Sequence, residues 1–106
     1  MMKLVEDSKL AGIRDMFRQA SRGENYNLDR YQTCYHRYFG CGQHLYILVN
    51  ECEEDKIAEV GNQRGVHPRE MAKQLSAHVA DFRIVTVDVE MGGIGVYGEP
   101  SPSEES

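Results

Sequence analysis

Apolar residues recur every three or four positions near the start of the chain. Leu10, Ile13, Met16, Phe17 and Ala20 share one face, so the spacing predicts an amphipathic helix over residues 8–22, with Ser8 capping its first turn. Gly23 stands where a left-handed cap would close it. Leu28, Tyr31, Tyr35, Tyr38 and Phe39 continue that spacing after Asn27 and predict a second helix from about 28 to 39, ended by Gly40. The pattern then changes. His44-Leu-Tyr-Ile-Leu-Val-Asn50 is a short, nearly unbroken apolar run and reads as a buried strand. Asn50 and Glu53 have the spacing of a capping box, predicting a third helix from about 51 to 60 that Gly61 stops. His67-Pro68 opens a fourth helix, with Met71, Leu75 and Val79 along one face. The β-branched stretch Ile84–Val89 favours a strand, and Gly92-Gly93 separates it from Ile94–Tyr97 as a hairpin.

The expected fold is therefore α+β, a single compact domain over residues 1–98 in the order ααβααββ. A small, about three-stranded, mainly antiparallel sheet packs against the helices. From Glu99 the chain reads Pro-Ser-Pro-Ser-Glu-Glu-Ser, which has nothing to bury, so residues 99–106 are expected to form a disordered acidic tail. The chain has 106 residues, a size that suits one core, and 41% apolar with 27% charged residues excludes wholesale disorder. Its longest apolar run, Leu45–Val49, is too short to cross a bilayer, so no membrane partner is expected. Glu6, Asp7, Lys9 and Arg14 interrupt the first twenty residues, which do not resemble a signal or transit peptide. Cys34, Cys41 and Cys52 are an odd number, so free thiols and a cytoplasmic location are expected.

Charge is unevenly spread. Residues 1–44 carry seven Lys/Arg against five acids, a balance of +2, while residues 45–106 carry five against twelve, a balance of −7. The acids Glu51, Glu53, Glu54, Asp55 and Glu59 crowd one helix, and the tail adds Glu99, Glu104 and Glu105. Such a surface is either a solvated face or a docking site for a basic partner, whose approach it would steer. The preferred functional expectation is a small, non-enzymatic acidic binding protein that regulates or inhibits a protein partner with a basic surface. Its size and acidity suit an accessory protein of a phage or mobile element acting on nucleic-acid-handling machinery. With few strands, an exposed sheet edge also makes a homodimer through sheet extension an expected partner state.

The alternative is a nucleic-acid-binding regulator. Arg14, Arg18 and Arg22 stand four apart on the first helix, and Arg30 and Arg37 extend the stripe along the second, beside Tyr26, Tyr31, Tyr35 and Tyr38. Asp15 and Asp29 dilute it. Residues 69–77 resemble the first helix and turn of a helix-turn-helix. The segment where a recognition helix would follow, His78–Asp88, is β-branched and holds one arginine against two aspartates, which suits no phosphate-facing helix.

Metal is the remaining candidate. Cys34, His36, Cys41 and His44 are ligand types for structural zinc and fall within eleven residues. Only the Cys41-x-x-His44 half has a common knuckle spacing, and on a helix Cys34 and His36 point to different sides. No cofactor is otherwise expected. The chain has no phosphate-binding glycine loop after a strand, no nucleophile elbow and no His-Glu-x-x-His, so no catalytic residue is assigned.

Overall fold

Five strands pair in the order of the sequence: β1 (Lys3–Leu4), β2 (Thr33–Gly40), β3 (Gln43–Val49), β4 (Phe82–Asp88) and β5 (Gly93–Tyr97). All neighbours are antiparallel, with His36 opposite Tyr46, Tyr46 opposite Val85, and Val85 opposite Val96. Among the described residues, three α-helices complete the fold: α1 (Asp7–Ala20), α2 (Glu54–Gly61) and α3 (Pro68–Leu75). The computed structural model describes residues 1–23 and 26–98. The expected acidic tail lies outside the described residues.

The two-residue period of the strands divides the core in two. Cys34, Tyr46, Leu48, Val85 and Val87 face α1 and pack with its Leu10 and Phe17. Phe17 meets the Tyr46 ring edge-on at 5.0 Å, a favoured aromatic geometry. On the opposite face Tyr35, Leu45, Ile47, Val49, Phe82 and Ile84 pack with Ile57 and Val60 of α2 and Met71 and Leu75 of α3. Strand β3 is thus covered on both sides, which is why its sequence is a continuous apolar run without alternation. Leu45, Ile47 and Leu48 are fully buried, each contributing about 1.5–3 kcal/mol of hydrophobic stabilisation.

The class and single domain agree with the sequence reading, but the element count does not. The sheet has five strands, and the order is βαββααββ with a 3-10 turn at Leu28–Arg30 before β2. The segment expected to be a second helix is that turn and strand β2. Its aromatic residues fit a helical period, yet they also alternate: Cys34, His36 and Tyr38 face one way, and Tyr35, Arg37 and Phe39 the other. Pairing with the strongly apolar β3 selects the alternating solution. Strand β1, two residues long, carried no pattern to read.

The caps differ as well. Glu6 and Glu53 occupy the N-cap positions of α1 and α2 without side-chain cap bonds. Asn50 does not close a capping box; its Oδ1 accepts from Gln32 N at 2.8 Å and ties the end of β3 to the segment before β2. His67 does cap α3, its Nδ1 accepting from Arg69 N at 3.0 Å.

Candidate functional site

Strand β3 ends at Val49, and the chain turns at Asn50 before entering α2. The apolar face of α2, Ile57 and Val60, is drawn onto the sheet, so its charged residues must turn outward. Glu51, Glu53, Glu54, Asp55 and Glu59 are all exposed. Glu54 and Asp55 lie in the first helical turn, where they meet the positive end of the helix dipole. Only Glu59 has an ion-pair partner among the described residues, Lys56 Nζ at 4.0 Å. That pair is solvent-exposed and contributes little.

Glu51, Cys52, Glu53 and Lys56 line an open depression of about 450 Å³, and His78, just beyond α3, closes its far side. Burial first, and then the Glu53 charge, push the Cys52 thiol up from its ordinary value, so it stays protonated. Beneath the corner, burial followed by the Glu54 charge raises the Tyr35 phenol. The corner therefore presents carboxylates beside a neutral thiol and phenol, with Lys56 also lining it.

The arginines are arranged differently. Arg14 Nη2 donates to Tyr31 O at 2.6 Å, and its Nε lies 3.7 Å from Asp29. Arg18 binds Asp15 at 2.7 Å and Asp29 at 2.9 Å. The hydrogen bond to Asp29, aided by that carboxylate's charge, raises the Arg18 pKa further. Arg30 pairs with Asp81. Arg37 lies on the other face of the sheet, donating to Gly61 O at 2.9 Å and Gln63 O at 3.0 Å with its guanidinium 4.6 Å from the Phe39 ring centre. Arg22 follows α1 in the left-handed region. The fold brings Arg14 and Arg18 together around Asp29. It does not extend their stripe through Arg30 and Arg37, because the helix expected to carry that extension is absent. Tyr31, Tyr35 and Tyr46 are core residues, and Tyr38 is exposed.

Strand geometry also revises the metal candidates. Cys34 and His36 lie two apart on β2 and so face the same way, contrary to the helical expectation. His44, diagonal to His36 on β3, joins them: His36 Nε2 and His44 Nδ1 are 2.8 Å apart. Cys41 is separate, exposed in the two-residue turn between β2 and β3 at φ 54°. Cys34 is buried, and burial pushes its thiol up to about 12. Among the described residues no three His, Cys, Asp or Glu side chains converge as a metal-ligand group.

Sequence reasoning missed the cluster around that histidine pair. His36 stacks on Tyr46 at 4.7 Å between ring centres, and Tyr38 leans on His44 at 4.8 Å. Alternation of His36 with Tyr38 and of His44 with Tyr46 was the available signal, visible only once β2 is read as a strand. On the opposite face, Phe39, Pro68, Thr86, Gly93, Gly95 and Tyr97 line a groove of about 490 Å³. No family model matches the chain, and no similar protein is found among curated proteins or solved structures.

Proposed function

We propose that this protein is a non-enzymatic binding module that engages the basic surface of a partner protein and thereby regulates or inhibits it. Glu51, Glu53, Glu54, Asp55 and Glu59 carry the interaction. One contrast supports this reading: these carboxylates are exposed and, Glu59 apart, free of ion pairs among the described residues, whereas Arg14, Arg18 and Arg30 face Asp15, Asp29 and Asp81. Charge that is already neutralised has little to offer phosphates, which weakens the case for nucleic acid. Unpaired carboxylates gathered at the start of a packed helix keep their full field for steering an encounter. A partner that normally holds nucleic acid would present the complementary surface, since carboxylates can occupy a groove built for phosphates.

The test is affinity purification from the native host with the wild-type chain and with Glu51→Lys/Glu53→Lys/Glu54→Lys. All three positions are exposed, so the variant is expected to keep its fold, which circular dichroism checks. The wild type is expected to retain a protein with a basic surface that the variant loses. Equal retention by both, or nucleic acid as the species retained, overturns the proposal.

A further inference from the structure

The two edges of the sheet are unlike. Strand β1 has only two residues and carries Lys3, a short, charged edge of the kind that resists further pairing. Strand β5 is five residues of regular ladder, Gly-Ile-Gly-Val-Tyr, with no charge, proline or bulge. Helices α1 and α3 contact it. Among the described residues no strand pairs with its outer side.

The direction of its free groups can be deduced. Val89 N donates to Gly42 O at 2.9 Å, so the backbone of Val89 points toward β3. By alternation Val87 and Val85 do the same, while Asp88, Thr86 and Ile84 point toward β5. Their partners Gly93, Gly95 and Tyr97 return those bonds. That leaves the N–H and C=O groups of Ile94 and Val96 directed out of the sheet.

We propose that the β5 edge pairs antiparallel with the β5 edge of a second copy of this chain, forming a two-fold dimer with a continuous ten-stranded sheet. A two-fold axis at Gly95 sets Ile94 opposite the second copy's Val96, and both outward-facing residues then exchange hydrogen bonds. Gly95 meets Gly95, and each Tyr97 meets Gly93, at the non-hydrogen-bonded positions where backbones approach most closely. Glycine, with no side chain to hold the backbones apart, suits both contacts, and the Tyr97 ring lies over Gly95 of its own strand, edge-on to His67.

Charge agrees with this register. Arg69 and Lys73 of α3 are exposed and line a depression with Tyr97 and Gly98, at the C-terminal end of β5. Antiparallel pairing brings that end toward the second copy's Asp88, which closes β4, and Glu90 in the turn after it, whose side chain lies over Gly42 and must swing outward to meet the cations. The two-fold axis makes the match twice. The acidic corner of α2 takes no part, so this inference and the proposed function stand or fall separately.

Light scattering after size-exclusion chromatography over a concentration series is expected to give twice the 12.1 kDa chain mass. Arg69→Glu/Lys73→Glu is expected to raise the dimer dissociation constant about tenfold or more, and Glu90→Lys added to it to restore part of the loss. Amide exchange supplies a readout that needs no variant. Ile94 and Val96 should be protected at high concentration and exchange on dilution, while Gly95 stays protected throughout. A monomer at every soluble concentration overturns the proposal. So does a dimer in which Ile94 and Val96 exchange freely, or a monomer in which both are protected because the segment after Gly98 covers them.

Discussion

His36 Nε2 and His44 Nδ1 meet across β2 and β3 at 2.8 Å, with ring planes 19° apart and ring centres separated by 5.0 Å. That centre-to-centre distance nearly equals the nitrogen separation plus two ring radii, so the rings meet head to head. One donates and the other accepts, which requires that the pair hold no more than one proton between those two nitrogens.

Acid should therefore weaken the fold through this pair. Burial, then the His44 charge and the terminal amine, lower the His36 pKa from 6.5. The unfolded chain takes up that proton at higher pH than the folded one. Stability is thus full above the unfolded value and falls as pH drops from 6.5 toward the lowered folded value. Urea midpoints measured from about pH 7.5 to about pH 5 should decline for the wild type and decline less for His36→Phe. Parallel declines would remove His36 as the cause.

Two glycines should respond in opposite directions to alanine. Gly98 sits at φ 120°, and a Cβ there would lie 2.7 Å from Phe82 O, a backbone atom that cannot swing aside. Gly98→Ala is expected to cost about 1–3 kcal/mol. Gly12 is exposed within α1 with nothing near its would-be Cβ, so Gly12→Ala should stabilise by about 0.5–1 kcal/mol. Denaturant melts of the two variants against the wild type decide both signs.

Tyr31 is the hinge of a polar network under the 3-10 turn. It is 1% exposed, its hydroxyl donates to Asp81 Oδ1 at 2.7 Å, and Arg83 Nη1 lies 3.6 Å from the same oxygen. Burial, and then the hydrogen bond to Asp81, push the phenol up to about 12, so it remains a donor at any ordinary pH. Tyr31→Phe removes one bond to a carboxylate that keeps Arg30 and Arg83, and should cost about 1–2 kcal/mol. Asp81→Asn should cost more, because it removes a charge that Tyr31, Arg30 and Arg83 all face. The reverse order in chemical melts would show that the phenol, not the carboxylate, holds the network.

The same residues explain how far the sequence could be read. Helix α1 was legible because Leu10, Ile13, Phe17 and Ala20 admit only a helical period, and α3 because His67-Pro68 marks its start. Strands β3, β4 and β5 announced themselves by apolar or β-branched runs and by Gly92-Gly93. Strand β2 was ambiguous in a physical sense. Tyr31, Tyr35, Tyr38 and Phe39 satisfy one period and Tyr35, Arg37 and Phe39 the other, and only the partner strand decides between them. Of the candidate residues, the carboxylates at and before the start of α2 were legible because they are close together in the sequence. The histidine pair was hidden because its members meet only through the β2–β3 register, and the pairing of the arginines because Asp29 and Asp81 reach them through tertiary contacts.

Thiol chemistry separates the three cysteines by environment. Cys34 is 1% exposed beneath α1, and burial pushes its thiol up to about 12, so the nucleophilic thiolate is scarce and an attacking reagent has no path to it. Cys52 is partly accessible, but burial and Glu53 raise its thiol too. Cys41 projects from the β2–β3 turn. Limited iodoacetamide followed by peptide mass mapping should therefore label Cys41 first, Cys52 more slowly, and Cys34 only after denaturant opens the core. The order carries a check on the fold itself. Cys34 faces α1 only because residues 33–40 are a strand, so early labelling of Cys34 in the native protein would contradict β2 and, with it, the meeting of His36 and His44.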